Sequence, residues 1–277
     1  MSGFSPDWLA LREAADHRSR DTGLAATLTR QFAERDRITV VDIGCGTGSN
    51  LRATSLLLGP AQAWTLVDYD PRLLAAARER LATWADEARA VGGILHLRKA
   101  GRAITVTFRE ADLNGDLDLA LGRDMDLVTA SAFFDLASAE FIARFTHAVA
   151  ARRATFYTVL TYNGIQTWTP PHPADAEMAA AFHAHQATDK GLGAAAGPLA
   201  PQALAGAFKA ARYDVAEGDS PWLLGTSDGA LLRELVPGFA GAVAATQRVA
   251  QTTIDGWLSV ARTAAVVGHT DTLALPR

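Results

Sequence analysis

The chain has 277 residues, 49% of them hydrophobic and 20% charged, with a mean hydropathy of +0.06, the composition of a globular protein with a full core. A formal charge of −4 and a pI near 6.0 leave no overall basic footprint for phosphate backbones, so nucleic acid is not an expected partner. No run reaches the roughly eighteen apolar residues that span a bilayer, and the opening MSGFSPDWLALREAAD lacks a basic stretch followed by an apolar one, so neither a membrane segment nor a secretory signal is expected and the expected compartment is the cytoplasm. Cys45 is the single cysteine, which excludes an internal disulfide and any multi-cysteine metal site. Arginine far outnumbers lysine and alanine is abundant, the usage of a GC-rich bacterial gene.

Two helices are predicted first. SPDWLALREAADHRSR and DTGLAATLTRQFAER each begin with a capping residue and continue with apolar residues at helical spacing. Residues 1–36 thus read as a helical cap ahead of a main domain over 37–277. RITVV is a short β-branched strand, VVDIGCGTGSN ends in a bend, and SNLRATSLLL is a helix halted by Gly59 and Pro60. AWTLV is an apolar strand, followed by a helix over DPRLLAAARERLATWADEARA, capped by Asp70 and with Pro71 at its first position. GILHLRKAGRAITVTFREAD reads as two strands around a turn from Lys99 to Arg102, the second alternating Ile104, Val106 and Phe108 with Thr105, Thr107 and Arg109. MDLVTASAFF is a strand, SAEFIARFTHAVAA a helix and RATFYTVLTY another strand. Strands alternating with helices predict an α/β, doubly wound, mostly parallel sheet covered on both faces.

Beyond Tyr162 the rhythm breaks. Residues 161–200 are punctuated by Pro and Gly around one helical run, too long for an ordinary connection, and read as a lid-like insert hinged at Gly164 and at Gly191 or Gly193. QALAGAFKAA resumes as a helix and RYDVAEGDSPW as a strand. Helical stretches follow over 226–264, interrupted at Pro237, before GHTDTLALP closes the chain as a last strand.

The bend Gly44-x-Gly46-x-Gly48 admits two readings: a tight turn from strand to helix, or a surface without side chains against which a ligand lies at the carboxyl edge of the first strand. Ser49 stands where a dinucleotide fingerprint wants its third glycine or an alanine, which argues against a nicotinamide cofactor. With Asp42 two residues ahead, VVDIGCGTGSNL resembles motif I of the class I S-adenosylmethionine-dependent methyltransferases. WTLVDYDPRLL is similar to their second-strand motif and FREADL to their third-strand motif, while DVAEGDSPW and HTDTLALP fit their paired sixth and seventh strands. The resemblance covers roughly Arg37 to Trp222 and the last strand. It implies a Rossmann-like, seven-stranded sheet with its last strand antiparallel, and S-adenosyl-L-methionine as cofactor.

Carried over residue by residue, the resemblance sets the backbone from Gly44 through Cys45 and Gly46 to Gly48 along the methionyl part, with Asp42 facing its amino group. Asp68 takes the ribose hydroxyls, Tyr69 packs on the adenine, and Asp112 and the Leu113 backbone read its edge, with Ser131 and Phe134 bordering the cofactor. These residue types suit a cationic, zwitterionic nucleoside, which needs acceptors rather than the anion cradle of a pyrophosphate. Cys45 reads as packing rather than nucleophile. Arg12, Asp16 and Arg20, spaced four apart on one helix face, read either as a solvated ion-pair stripe or as a device that brings Arg20 to the cofactor.

The acceptor leaves a fainter mark, because transfer from an activated sulfonium requires mainly positioning and dryness. Thr129 to Asp135 carries neither the Asn/Asp-Pro-Pro-Tyr motif of amino-methylating nucleic-acid enzymes nor the Pro-Cys nucleophile of cytosine-5 enzymes, so a small-molecule acceptor, methylated on nitrogen or oxygen, is expected. Asp135 is the candidate group beside the methyl or else a helix cap. In the insert, Tyr162 and one histidine, His185 in the first instance, are candidates to line the acceptor pocket. His183 and His185, two apart, would point to different faces of a helix, so neither paired ligation by them nor any metal is expected. An RNA or protein methyltransferase, a non-catalytic binder of the cofactor, and aminopropyl transfer are the alternatives.

Overall fold

The computed structural model describes residues 4–277. In chain order it contains α1 (Pro6–Ser19), α2 (Thr22–Gln31), β1 (Arg37–Ile43), α3 (Ser49–Thr54), β2 (Ala61–Asp68), α4 (Pro71–Trp84), β3 (Glu87–Val91), β4 (Ile94–Lys99), β5 (Arg102–Glu110) and α5 (Leu117–Leu121). There follow β6 (Leu127–Ser131), α6 (Ala139–Ala151), β7 (Thr155–Thr169), α7 (Asp175–Gln186), α8 (Ala200–Ala210), β8 (Tyr213–Asp219), β9 (Trp222–Leu224), α9 (Gly229–Ala245), α10 (Gln251–Leu258) and β10 (Ala264–Pro276).

One sheet organises the molecule, in the order β3-β4-β5-β2-β1-β6-β7-β10-β8, with β9 pairing the start of β10. From β5 to β7 all neighbours run parallel, and β10 enters antiparallel between β7 and β8. The seven strands β5-β2-β1-β6-β7-β10-β8 are the doubly wound sheet that the motifs implied. The extra hairpin of β3 and β4 extends one edge. Its first strand corrects the predicted helix over residues 71–90: α4 stops at Trp84, where the i, i+3, i+4 apolar pattern of Leu73, Leu74, Ala77 and Leu81 ends, and Glu87–Val91 pairs antiparallel with β4.

Alternation along the strands divides the core between the two faces. In β1, Ile38 and Val40 join one cluster with Leu28, Trp64, Leu66 and Leu81, while Val41 and Ile43 join the other with Val128, Phe134, Phe145 and Phe156. On the second face Phe156 and Phe208 stack with centroids 4.6 Å apart, so α8 and the sheet bury aromatic area together.

Two further expectations change. Residues 161–169 belong to β7, which runs on for fifteen residues against β10, Thr169 opposite Ala264; the insert proper starts only after that. Nor is it a loose flap: Trp257 donates to Asp175 Oδ1 at 2.7 Å, and Trp168, Phe182, Phe239 and Trp257 form one aromatic cluster that locks α7 against α9 and α10. Pro237 lies inside α9 without interrupting it.

A bulge in β7 bends the long β7–β10 ribbon beside the first strands. Leu160 takes a left-handed conformation (φ +59), and its amide donates to the buried Asp271 at 2.8 Å. The other Asp271 oxygen accepts from the amide of Asp21 at 2.9 Å, between α1 and α2. One carboxyl therefore ties the cap, the last strand and the bulge together.

Candidate cofactor and acceptor site

The parallel strands place their carboxyl ends along one edge, and the glycine bend crosses that edge. Asp42 pairs in register with Leu66 and Thr129, and Asp68 with Glu110, so the tips of β1, β2, β5 and β6 converge. Gly44, Gly46 and Gly48 all have positive φ, which side chains disfavour. Space is tight as well: a Cβ on Gly44 would lie 2.5 Å from the Phe133 ring, too close without displacing it, and one on Gly46 would lie 3.1 Å from the Leu9 side chain of α1, which would have to give slightly. The bend is thus covered by one aromatic ring and one cap helix.

Asp42 is fully buried. Its Oδ1 accepts from Asn50 Nδ2 at 2.8 Å, while Oδ2 has no partner among the described residues. Burial pushes its carboxyl up to about 7, against the opposing pull of the Asn50 bond and Arg20. Arg20 donates to Thr54 at 2.8 Å and to Asn50 Oδ1 at 3.1 Å, which sets its charge beside Asp42. Asp68 accepts from the amides of Gly46 at 2.9 Å and Asp70 at 3.0 Å, and burial raises its carboxyl above the usual range despite these bonds. Tyr69 is 44% exposed at the same strand tip. Asp112 is exposed beyond β5 and holds the turn by accepting from Asn114 N, with Leu113 buried behind it. The Ala111 amide donates to the Asp68 carbonyl at 3.1 Å, which joins the two tips. Cys45 is buried, and burial drives its thiol well above its ordinary value, so it is a packing residue with little thiolate character.

α1 is clasped over this bend from its side. Arg52 makes two 2.6 Å bonds to Glu13 and donates to the Thr47 carbonyl at 2.9 Å, while His17 Nε2 lies 2.9 Å from Ser49 Oγ. Burial alone would raise Glu13; the bond and charge of Arg52 outweigh it and hold the carboxyl below its ordinary value. The stripe of Arg12, Asp16 and Arg20 is thus not a solvated surface. Asp16 is buried, accepting from Arg12 Nε at 2.8 Å and from Trp222 Nε1 at 3.0 Å.

Ser131 is half-buried at the end of β6, paired with Val159. Phe134 does not border the bend. The left-handed turn at Ala132 (φ +50) separates the next two rings, so Phe133 covers Gly44 and Phe134 is fully buried between Phe145 and Phe156. Asp135 follows, 8% exposed, with its Oδ1 unpartnered. Burial pushes it up to about 6, opposed by its own amide, by Arg12 and by the amide of Tyr162.

Tyr162 is buried, and its hydroxyl lies 3.1 Å from His183 Nε2. Burial, followed by the nearby Asp135, raises the phenol. His185 is elsewhere, turned to Lys190 at 3.4 Å; two positions along a helix face different sides, and the side that meets Tyr162 carries His183. Sequence reasoning missed His269 and Trp222, and read Arg12 only as part of the stripe with Asp16 and Arg20. His269, opposite Tyr162 on β10, is 7% exposed, has an unpartnered Nδ1, and is held neutral by burial, its pKa pushed down to about 3. Trp222 packs on it with ring centroids 5.3 Å apart, and the Arg12 guanidinium lies over the Trp222 ring at 5.3 Å. The two grooves on the opposite edge of the sheet, around Tyr213 and Arg277, contain none of these residues. No group of three or more potential metal ligands occurs among the described residues, and no helix there is long and apolar enough to cross a membrane.

In sequence, no family model matches the chain and no curated protein matches it. Solved structures do match in fold. A cyclopropane-fatty-acyl-phospholipid synthase-like protein from Lactobacillus casei is 15% identical and superposes over 95% of this chain and 99% of its own, with a TM-score of 0.54. The cyclopropane synthase MmaA2 from Mycobacterium tuberculosis is 10% identical over 98% and 94%, with a TM-score of 0.52. A SAM-dependent methyltransferase from Thiobacillus denitrificans, solved in complex with S-adenosyl-L-homocysteine, is 16% identical over 99% of both chains, with a TM-score of 0.45. With the strand order above, the chain has the Rossmann-like fold of the class I S-adenosylmethionine-dependent methyltransferases.

Proposed function

We propose that the protein is an S-adenosyl-L-methionine-dependent methyltransferase acting on a nitrogen or oxygen of a small molecule. One observation carries this reading: a buried carboxyl oxygen without a partner, on Asp42, lies beside a glycine turn flanked by two neighbouring strands, one ending in Asp68 and the other followed two residues on by Asp112. An orphaned buried acceptor costs about 1–3 kcal/mol unless a ligand or water meets it. A cationic amine meets it, and two further carboxylates suit ribose hydroxyls and an adenine amine. The residues present therefore fit the cofactor.

Bound there, the cofactor supplies a methyl group already activated on a sulfonium. The chain's residues do the rest. Arg20 and Asn50 hold Asp42 in place, Tyr69 offers a face to the purine, and α1 with Phe133 keeps water from the bend. Asp135, raised toward neutrality, is able to take the proton that an amine or hydroxyl acceptor loses as its lone pair forms the new bond to carbon. Tyr162 and His183 act as a hydrogen-bonded pair beside it and orient the acceptor. A small-molecule acceptor is favoured by the closed helical cover, the acidic balance and the missing nucleic-acid motifs. The domain reading belongs to the same proposal: the helices within residues 4–36 form a cap, and the insertion over 226–264 meets it where Arg18 donates to Asp228 at 2.7 Å.

Calorimetric titration with S-adenosyl-L-methionine tests this. Micromolar binding is expected, weakened at least tenfold by Asp68→Ala at unchanged melting temperature. Absence of heat, or an affinity indifferent to that substitution, refutes it; binding without turnover on any acceptor leaves a cofactor-binding protein instead.

A further inference from the structure

The roof of the site holds three polar groups whose hydrogen-bonding capacity the fold does not use, and they come from distant parts of the chain. Arg12 spends Nε on Asp16 and lays its guanidinium on Trp222, but Nη1 and Nη2 have no partner among the described residues, although its side chain is only 11% exposed. Asp135 Oδ1 and His269 Nδ1 are buried and unpartnered. The charge of Arg12 reaches both. Around them stand the rings of Tyr162, Trp222 and Phe182 and the imidazole of His183.

The Nη1 and Nη2 donors still reach solvent at the rim of this roof, and a planar oxyanion satisfies two of them at once. Competing carboxylates are otherwise engaged. Both oxygens of Asp16 are spent, on Arg12 Nε and on Trp222 Nε1, and neither Asp135 nor any other acid completes the fork. Within reach of the same charge, Asp135 and neutral His269 accept or exchange a hydrogen bond with an N–H or O–H. The array is complementary to a molecule that carries a carboxylate at one end, a protic nitrogen or oxygen near it, and an apolar or aromatic body.

Resting on the methyltransferase reading above, we propose that the acceptor is a carboxylate-bearing amine or hydroxy compound whose carboxylate is held by the Nη1/Nη2 fork of Arg12. Arg12 is then the specificity-determining residue, and Trp222 keeps its fork in plane.

Matched acid and amide pairs test this on the full chain saturated with S-adenosylhomocysteine: anthranilate against 2-aminobenzamide, salicylate against salicylamide, and phenylalanine against phenylalaninamide, by calorimetry. At least one acid is expected to bind tenfold or more tighter than its amide. Arg12→Gln should abolish that preference and leave S-adenosylhomocysteine affinity within about twofold, while Arg12→Lys keeps the sign of the preference with a smaller size. No acid preference in any pair by the native protein, or a preference that survives Arg12→Gln, overturns the proposal. Should Arg12→Gln fail to fold, the native comparison and Arg12→Lys decide the matter. If S-adenosylhomocysteine itself does not bind, the methyltransferase reading falls, and this proposal with it.

Discussion

Cofactor affinity should rise with pH through neutrality, and Asp42 is the reason. Its carboxyl titrates near 7 in the fold against 3.8 in a free chain. Without ligand, the folded state binds a proton that the unfolded state lacks between these values. The stability Asp42 contributes is therefore present below pH 3.8 and lost as pH rises through 7, a difference of about 4 kcal/mol at about 1.4 kcal/mol per unit. An ammonium group on the cofactor needs the ionised form. At pH 5.5 only about 3% of the sites are ionised, so the dissociation constant should be about 30-fold larger than at pH 8.5, with close to one proton released on binding near pH 6. Asp68, also raised, adds to the slope with the same sign. Asp42→Asn should flatten most of the dependence, bind weakly throughout, and melt higher than the native apo protein at pH 8 but not at pH 4. Calorimetry in two buffers of different ionisation enthalpy measures both affinity and proton count. A dissociation constant level from pH 5.5 to 8.5 would refute the placement of the amine at Asp42.

Three further outcomes follow from the same contacts. Arg52→Ala leaves Glu13 half-buried without its partner and frees the Thr47 carbonyl, so it should cost about 3 kcal/mol and weaken cofactor binding, read by denaturant melts and calorimetry; unchanged stability would show that α1 is not fastened there. Asp271→Ala orphans the amides of Leu160 and Asp21, and at about 1–3 kcal/mol for each buried donor it should lower stability by about 3 kcal/mol, with hydrogen exchange accelerated at both amides; slow exchange at Leu160 would sink the tie. Once an acceptor is in hand, His183→Ala and Tyr162→Phe should each lower kcat/KM at least tenfold, whereas His185→Ala should stay within about twofold, and the reverse order would assign the pocket to the other face of α7.

What could be seen in the residue string was whatever rests on local backbone demands. Gly44, Gly46 and Gly48 announce a bend that side chains would fill, and Asp42, Asp68 and Asp112 stand next to strand ends whose β-branched runs are unmistakable. The layered α/β order was equally visible, because hydrophobic period switches between two and 3.6 along a short stretch. The hairpin of β3 was hidden: Glu87–Val91 is exposed throughout, its Glu, Ala and Arg are good helix formers that continue the preceding helical run, and it owes its conformation to pairing with β4. Phe133 and Phe134 are chemically alike, and which one covers Gly44 depends on a left-handed Ala132 that no propensity announces.

The cofactor side of the site is thus written within short segments, where the chain's own stereochemistry and charge dictate what each loop does. The proposed acceptor side exists solely through packing. Arg12, Asp135, Tyr162, His183, Trp222 and His269 come from separate helices and strands, and they meet because β10 inserts beside β7, α1 folds back over the bend, and Asp271 pins all three together. Burial then turns ordinary polar residues into unsatisfied ones, and that is a property of the enclosing fold that no linear stretch of residues carries.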